Sequence, residues 1–489
     1  MSKRGVNMKK VVLSLVVAFL FFIGGVANPM KMITNKNFVI IQDFESKILT
    51  NKRTIRVYLP ENYFNSSEYY PVIYAQDGQN LFFDQNNEMK WDLDKSIEKL
   101  TKEGIIKDVV VVGIDHMGVD RITEYTPFPF SSYGGGKGKL YGEFLVKELK
   151  PFIESNFRVK TNREDVAVMG SSLGGLISLY IGMWYPEEFG IIGSVSPSYW
   201  WGLDKNLAEV SNSIKSLKTQ KIYIDMGYRE QSTMFKEKNG RGISNVIYTT
   251  KEMFLLLQKN GSYPNLLYIE DLAGEHNELN WKRRITNFLV FAFSKKKLSQ
   301  ELNSIELYYY PNEWGIEDFG YFFVNGITKD GITRTFLGLT PELDKFKLVD
   351  KDRGIIQATD SGIGTISVKI GNLQSKKEIK IEPISSIYCL AEINVISPSK
   401  SLQMVVTNQD KQPTNYVIPL LLTDTKNEEN NVLNIFSTKL TNLRGTVLDA
   451  NFVNEGGNVV KTAKFIMNNM YKKYTFTLTN SYDTNSNQK

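Results

Sequence analysis

The sequence is poor in the residue types from which disulfides and metal sites are built. Its 489 residues include one cysteine, Cys389, and two histidines, His116 and His276. A lone cysteine excludes an internal disulfide framework and a cysteine-rich zinc site. Histidine is the side chain that titrates near neutral pH, so a proton shuttle working there must use one of these two imidazoles. No cluster with metal-ligand spacing occurs in the sequence, and we expect neither a metal nor another cofactor.

The excess of positive charge is small, and much of it lies at the N-terminus. Lys and Arg number 59 against 53 Asp and Glu, and four basic residues precede an uncharged apolar run over residues 11–26. With small residues at Gly25 and Ala27, this pattern predicts a signal peptide over residues 1–27 and a secreted or periplasmic protein. Its removal would leave 59 − 4 = 55 basic against 53 acidic residues, so no nucleic-acid partner is expected. Because the run is slightly long, an uncleaved anchor is the alternative; after cleavage we expect no stable membrane span.

Residues 37–297 alternate between short apolar runs and stretches with helical spacing. Runs that are apolar throughout are typical of strands buried on both faces, and their alternation with helices predicts an α/β fold with a mostly parallel sheet. An antiparallel pair is predicted ahead of them, at residues 38–44 and 53–59. The apolar runs lie at 72–75, 109–114, 166–169, 191–195, 222–224 and 266–269, and the helical stretches at 93–102, 140–156, 176–185, 248–259 and 282–295.

Beyond residue 297 the helical patterns stop, and short strands with polar spacers continue to the end. Residues 365–370 and 377–381 flank Gly371-Asn372, which predicts a hairpin. This half is predicted to form one or two β-sandwich modules. We assign residues 305–385 to a β-rich, immunoglobulin-like module and residues 386–489 to a β-sandwich of unknown role. Polysaccharide binding by these modules is one hypothesis.

The segment Gly170-Ser171-Ser172-Leu173-Gly174 carries the strongest chemical signal. It lies between a predicted strand and a predicted helix, where a G-x-S-x-G turn presents its serine hydroxyl above the sheet. Ser172 is therefore the candidate nucleophile, and the Leu173 N–H points to where an oxyanion would form. The alternative interpretation is an ordinary turn between strand and helix.

A serine needs an adjacent base, and in this architecture serine, acid and histidine follow one another along the chain. His276 is the histidine that follows Ser172, whereas His116 precedes it. The acid should leave the strand at residues 222–224, where Asp225 and Glu230 both qualify. We favour Glu230, because the loop beyond Gly227 can reach across the top of the sheet. Asp225 is kept as the alternative acid.

A second oxyanion donor is expected in the loop after the strand at residues 72–75. This loop contains Asp77 and Gly78, and the N–H of Gln79 is the candidate donor. A plain turn, which Asp-Gly also favours, is the alternative. Farther along, the glycine-rich segment 134–139 is not a phosphate-binding loop, since neither Gly-Lys pair is followed by Ser or Thr. We interpret residues 120–139 as a flexible rim or lid near the mouth of the site.

Several separated segments, in this order, resemble the putative-esterase (esterase D-like) family of α/β-hydrolases. They are Tyr70-Pro71-Val72-Ile73-Tyr74, Asp77-Gly78-Gln79-Asn80, Glu124-Tyr125-Thr126-Pro127, the serine motif, Ser194-Val195-Ser196-Pro197-Ser198-Tyr199-Trp200-Trp201 and Gly274-Glu275-His276. The family includes feruloyl, acetylxylan and siderophore esterases and S-formylglutathione hydrolases. A Gly-x-x-Asp/Glu segment usually supplies its acid, which supports Glu230. Many members carry histidine where this chain has Gln76, a departure that bears on the pocket wall.

The resemblance covers about residues 37–297 and implies an exported serine esterase without a cofactor. Feruloyl or acetyl glycan esters and siderophore-type esters are the expected small-molecule or glycan substrates, cleaved through an acyl-enzyme on Ser172. The alternative is a carbohydrate-binding or cell-surface adhesion protein in which the hydrolase domain is mainly a scaffold. Several aromatic residues are candidates for an acyl pocket, although each is more often part of a core. They are Phe82, Phe83, Trp91, Tyr199, Trp200 and Trp201.

Overall fold

A computed structural model describes the chain from residue 31 to residue 477, with gaps. The described residues are 31–35, 37–82, 90–130, 133–230, 245–260, 265–312, 314–316, 318–385, 388–397, 402–408, 414–419, 421–428, 431–443, 446–454, 459–467 and 471–477. The predicted signal peptide and Phe83 lie outside them.

A nine-stranded sheet forms the centre of the N-terminal half. Numbered β1 to β9 along the chain, its strands are Lys31–Asn35, Phe38–Ser46, Asn51–Tyr58, Val72–Gln76, Val110–Ile114, Val166–Ser171, Ile191–Val195, Lys221–Gly227 and Leu266–Asp271. Their order across the sheet is β1-β2-β3-β5-β4-β6-β7-β8-β9. The strands from β4 to β9 are parallel to one another, whereas β1, β2 and β3 form an antiparallel edge. The predicted parallel sheet and its leading antiparallel pair are confirmed, and β1 extends the sheet ahead of residue 37.

Helices cover both faces of this sheet. Along β4, Val72 and Tyr74 belong to one apolar core, whereas Ile73 and Ala75 belong to the other. A strand buried on both faces reads as a continuous apolar run, which is why the pattern located these strands. The helices are Leu93–Lys102, Arg121–Glu124, Gly138–Phe144, Lys150–Asn156, Leu173–Trp184, Leu203–Asn212, Ile214–Leu217, Asn245–Lys259 and Glu278–Phe293.

The predicted helical stretch at residues 140–156 is divided ahead of Pro151. A π-helical segment, Leu145–Leu149, separates Gly138–Phe144 from Lys150–Asn156. Proline has no N–H and crowds the carbonyl four residues earlier, so the wider π turn just ahead of Pro151 accommodates it. The helix Leu203–Asn212 was not predicted.

Residues 302–385 form two sheets that share one apolar core. Numbered β10 to β18 along the chain, their strands are Leu302–Tyr310, Trp314–Ile316, Phe319–Thr328, Thr333–Phe336, Glu342–Asp344, Phe346–Asp350, Ile355–Ala358, Gly362–Ile370 and Leu373–Ser385. One sheet has the order β10-β12-β16-β15, with β13 beside β12, and the other has the order β11-β18-β17-β14. Phe322 and Val324 of the first sheet and Ile366 and Ile379 of the second lie in that core. The hairpin at Gly371-Asn372 is confirmed, with Ile370 opposite Leu373.

The remaining described strands form two four-stranded sheets. Numbered β19 to β26 along the chain, they are Tyr388–Ser397, Leu402–Asn408, Thr414–Pro419, Leu421–Glu428, Asn431–Leu443, Thr446–Asn454, Val459–Met467 and Tyr471–Thr477. The sheets have the orders β22-β23-β19-β26 and β21-β20-β24-β25. Most pairs are antiparallel, and β19 runs parallel to β26. Among the helices that the structure describes, none is both long enough and apolar enough to cross a membrane.

Candidate active site

Ser172 stands alone between the strand Val166–Ser171 and the helix Leu173–Trp184. Its backbone angles, φ 58° and ψ −124°, lie in a region that residues other than glycine rarely adopt. Such a conformation costs about 1–3 kcal/mol and persists only where the surroundings impose it. Here the Ser172 N–H donates to Val195 O at 3.0 Å, and the Ser198 N–H donates to Ser172 O at 3.0 Å. The next strand and its loop therefore hold the serine in the sharp turn that the motif predicts.

The glycines of the motif are required because the turn lies against the end of the neighbouring strand. A Cβ on Gly170 would lie 2.7 Å from the carbonyl carbon of Gly174 and 2.8 Å from Cβ of Gln76. Both contacts are too close for real atoms. Gln76 is itself buried, and its Oε1 accepts a hydrogen bond from Tyr141 OH. The Gln76 side chain therefore packs directly against Gly170 and Gly174 of the serine motif.

Glu230 is paired with His276. Glu230 Oε2 lies 2.9 Å from His276 Nδ1, and the side chain of the glutamate is fully buried. Its other oxygen, Oε1, accepts hydrogen bonds from the Gly227 N–H at 2.7 Å, from Ser196 Oγ at 2.6 Å and from Arg284 Nη2 at 3.0 Å. Burial alone would raise the pKa of Glu230, but the hydrogen bond with His276 and the charge of Arg284 outweigh it and hold this pKa below its ordinary value. A charged glutamate with fixed orientation therefore faces the imidazole.

Asp225, the alternative acid, lies behind this pair. Its carboxylate accepts from Tyr223 OH at 2.7 Å and from the Ser196 N–H at 3.0 Å, and it lies 3.2 Å from Arg284 Nη2. Burial raises the pKa of Asp225, and Arg284 offsets this only in part. Of the two carboxylates, Glu230 is the one placed at His276.

The loops that carry the acid and the histidine are joined through their backbones. The Tyr228 N–H donates to Asp271 O at 2.9 Å, and the Arg229 N–H donates to Gly274 O at 2.8 Å. The approach is so close that a Cβ on Gly227 would lie 2.3 Å from Gly274 O. The positions of Glu230 and His276 are thus coupled by the main chain as well as by their side chains.

Ser172 and His276 are not hydrogen-bonded to each other among the described residues. Ser172 Oγ lies 3.2 Å from Ser198 Oγ instead. The imidazole of His276 is 12% exposed and meets the Trp281 ring edge to face, with centroids 5.0 Å apart. Serine–histidine contacts in unliganded sites are often long and shorten only when substrate binds.

The predicted oxyanion loop forms a tight turn next to the serine motif. Asp77 has left-handed backbone angles, φ 57° and ψ 46°, and begins the 3-10 turn Gly78–Asn80. Its carboxylate receives two hydrogen bonds from Arg121, at 2.7 and 2.9 Å. Gln79 Oε1 accepts from the His116 N–H at 3.1 Å. His116 therefore contacts the loop through its backbone, while its Nδ1 accepts from the Gly118 N–H at 3.0 Å.

Most of the candidate pocket aromatics lie in the core. Tyr199, Trp201 and Trp91 are buried to 2% exposure or less, and Phe82 packs on Phe38. Trp200 is partly exposed and lies two residues after Ser198, the partner of the Ser172 hydroxyl. Tyr133, 55% exposed, packs against Trp200 with centroids 6.3 Å apart.

Ser196, Trp281 and Arg284 were not predicted as site residues. Ser196 Oγ accepts from Trp281 Nε1 at 2.9 Å and from Arg284 Nη2, so the three groups form the support behind Glu230. Ser196 directly follows a parallel strand, and ligands bind at the carboxyl ends of such strands. Its position in the sequence could therefore have identified it as a site residue. Nothing in the helical spacing of residues 282–295 distinguishes Arg284. Within the described ranges, no group of three or more His, Cys, Asp or Glu residues could hold a metal ion.

Comparison with known proteins gives one family and several relatives. Residues 46–291, about half of the chain, match the family described as Putative esterase. The uncharacterized protein YbbA of Bacillus subtilis is 30% identical, over 50% of this chain and 94% of that protein. The endo-1,4-beta-xylanase/feruloyl esterase of Xylanibacter ruminicola is 29% identical, over 38% of this chain and 24% of that protein. The iron(III) salmochelin esterase of Escherichia coli O6:H1 is 29% identical, over 32% of this chain and 34% of that protein.

Proposed function

Because the chain belongs to the Putative esterase family, we propose that this carboxylic ester hydrolase works through an acyl-enzyme on Ser172. The observation that carries the proposal is the 2.9 Å contact between Glu230 Oε2 and His276 Nδ1. A carboxylate at Nδ1 keeps the proton on that nitrogen, so Nε2 is left to accept a proton from a serine hydroxyl.

The reaction proceeds in two halves. Ser172 Oγ forms a bond to the ester carbonyl carbon as its proton passes to His276 Nε2, and the N–H groups of Gln79 and Leu173 stabilise the oxyanion. Collapse of this intermediate breaks the bond to the alcohol oxygen, which takes the proton from His276. Water then attacks the acyl-enzyme with His276 again as base, and the acid and free serine are released.

The test compares two adjacent serines in the purified protein. Ser172→Ala should lower p-nitrophenyl acetate turnover to background and abolish labelling by a fluorophosphonate. Ser171→Ala, at the buried end of the preceding strand, should keep both. Turnover and labelling that survive in Ser172→Ala would contradict the proposal.

For the substrate we propose an ester whose acyl group carries an aromatic ring, of the feruloyl or siderophore type. The relatives named above include a feruloyl esterase and a salmochelin esterase. The ring of Tyr133, 55% exposed, packs on Trp200, which lies two residues after Ser198, and exposed aromatic rings of this kind stack with planar rings. Rates of hydrolysis of feruloyl sugars, salmochelin and acetylated xylan by the purified protein test this proposal. Preferential cleavage of acetylated xylan would exclude the aromatic class.

We also propose that the enzyme is exported, with residues 1–27 as its signal peptide. N-terminal sequencing of the protein from the periplasm or medium should give a chain beginning at Asn28, and an intact N-terminus would contradict this.

Polysaccharide binding by residues 305–489 stays a prediction, which co-sedimentation of full-length Ser172→Ala with insoluble xylan would test. A pure binding protein is not favoured, because binding alone needs no buried carboxylate directed at a histidine.

A further inference from the structure

The sheet of residues 302–358 packs on the loop that carries Glu230. The ring of Tyr228, two residues before the acid, stacks on Phe323 with centroids 5.0 Å apart and planes 15° from parallel. Tyr310 lies against the same tyrosine ring, with centroids 5.9 Å apart. Tyr228 is 7% and Phe323 1% exposed. The side chain of Tyr228 is thus held by a sheet that lies outside the family match, which ends at residue 291.

The hydroxyl end of Tyr228 is bound to a buried ion pair. The Tyr228 hydroxyl donates to Glu270 Oε2 at 2.6 Å, and Lys251 Nζ lies 3.2 Å from Glu270 Oε1. The backbone of Glu270 is bound by the β-rich half, since its N–H donates to Thr335 Oγ1 at 2.7 Å and its carbonyl accepts from Asn325 Nδ2 at 2.9 Å. Breaking such a buried pair is strongly destabilising. Through Thr335 and Asn325, the sheet of residues 302–358 thus also contacts the strand that carries Glu270.

Farther from the site, a second ion pair joins the two halves. Arg353 donates to both carboxylate oxygens of Glu252, at 2.6 and 2.9 Å. Lys251, the neighbour of Glu252, also donates to Arg353 O at 3.3 Å. Two-point pairs of this kind fix relative orientation as well as distance.

The backbone of Tyr228 is tied in the opposite direction, toward the histidine loop. Its N–H donates to Asp271 O, and the next residue, Arg229, donates to Gly274 O. The tyrosine therefore links two parts of the chain. Its ring packs on the sheet of residues 302–358, here called the added sheet, and its main chain is hydrogen-bonded to the histidine loop. Loops that carry functional groups are otherwise among the more mobile parts of a protein.

We propose that Phe323 is a positioning residue for the catalytic acid: by holding the Tyr228 ring, the added sheet sets the place of Glu230 relative to His276. The inference rests on the proposed function, in which Glu230 is the acid. A displacement of about 1 Å at such a group can lower the rate about 100-fold. Phe323 is 1% exposed and packs on Tyr228, so we expect its loss to reduce kcat and leave KM unchanged.

Phe322 provides a matched control on the same strand. Successive strand residues face opposite sides, and Phe322 is 2% exposed in the core between the two sheets of its own half. Phe323→Leu should lower kcat about 10- to 100-fold with little change in KM, and fluorophosphonate labelling should slow in parallel. Phe322→Leu should lower the melting temperature similarly and keep kcat within about twofold of wild type.

Equal kcat values in the two variants at similar melting temperatures would overturn the inference. If Phe323→Leu does not fold, Tyr308→Leu replaces it. Tyr308 is the cross-strand partner of Phe323 and stacks on its other face, with centroids 5.2 Å apart; its loss should lower kcat by a smaller factor, and an unchanged kcat would count equally against the inference. The wild-type protein separates this from failure of the proposed function, because an inactive, unlabelled wild type would refute the serine mechanism itself.

Discussion

Arg284 donates a hydrogen bond from Nη2 to Glu230 Oε1 at 3.0 Å, while His276 lies against Oε2 of the same carboxylate. The guanidinium thus occupies the side of the acid away from the imidazole. Burial alone would lower the pKa of Arg284, but Asp225 and Glu230 outweigh it and raise this pKa. One cation therefore supports two buried carboxylates, and this arrangement has measurable consequences.

Arg284→Met should destabilise the protein by about 3–5 kcal/mol, because it leaves Asp225 and Glu230 buried without their cation. Urea unfolding at neutral pH measures the change. Arg283→Met is the control: Arg283 is 54% exposed, and its loss should cost less than about 1 kcal/mol. Equal losses in the two variants would show that the buried cation is not needed.

Glu230→Gln should lower kcat about 1,000- to 10,000-fold, because an amide cannot stabilise the imidazolium or hold the same tautomer. Asp225→Asn should lose far less activity, since Asp225 contacts Tyr223 and Ser196 rather than the imidazole. Steady-state kinetics with p-nitrophenyl acetate gives both values. The reverse ranking would make Asp225 the acid.

Protonation of the two carboxylates should change the stability of the folded protein in opposite directions. The pKa of Glu230 is lowered in the folded protein, so the unfolded chain binds its proton first and stability is lost as the pH falls through the folded pKa. The pKa of Asp225 is raised, so its protonation stabilises the folded state as the pH falls. Between about pH 6 and pH 3, Glu230→Gln should lose less unfolding free energy than Asp225→Asn. Urea unfolding across this range measures both losses. A larger loss of unfolding free energy in Glu230→Gln would contradict the prediction.

Gly227→Ala should separate the acid loop from the histidine loop. The added methyl group would lie 2.3 Å from Gly274 O. Because this oxygen belongs to the main chain, it can move away only if the histidine loop moves with it. We expect a loss of about 1–3 kcal/mol in stability and at least about 100-fold in kcat. Gly142→Ala is the control, because its methyl group would meet a ring carbon of Tyr185 at 3.0 Å, and that side chain can move. Similar kcat values in both variants would show that the loops tolerate separation.

The sequence predicts the sheet and the serine turn well, because both depend on local rules. Strands buried on both faces read as apolar runs, and the turn at Ser172 needs glycine where main chains approach. The order of serine, acid and histidine limited the acid to two residues. It did not decide between Asp225 and Glu230, because the choice depends on how the loop after Gly227 bends toward His276, and that is set by tertiary hydrogen bonds.

The packing of the added sheet on the acid loop was missed. The pattern beyond residue 297 predicts strands, but pairing one module with another depends on which faces stay apolar. A signal was present: Tyr321, Phe322, Phe323 and Val324 are consecutive apolar residues, all buried. An antiparallel strand with one face in water should alternate, so such a run indicates burial on both faces. Arg284 had no comparable signal, since a basic residue on an amphipathic helix ordinarily faces solvent.

The burial of Lys251 and Glu270, 1% and 0% exposed, bears on where the chain can be divided. Both residues lie within the segment that matches the family, yet Arg353, Thr335 and Asn325 of the β-rich half complete their surroundings. A fragment ending near residue 297 would bring this ion pair closer to water. We therefore expect a stable hydrolase fragment to extend to about residue 385.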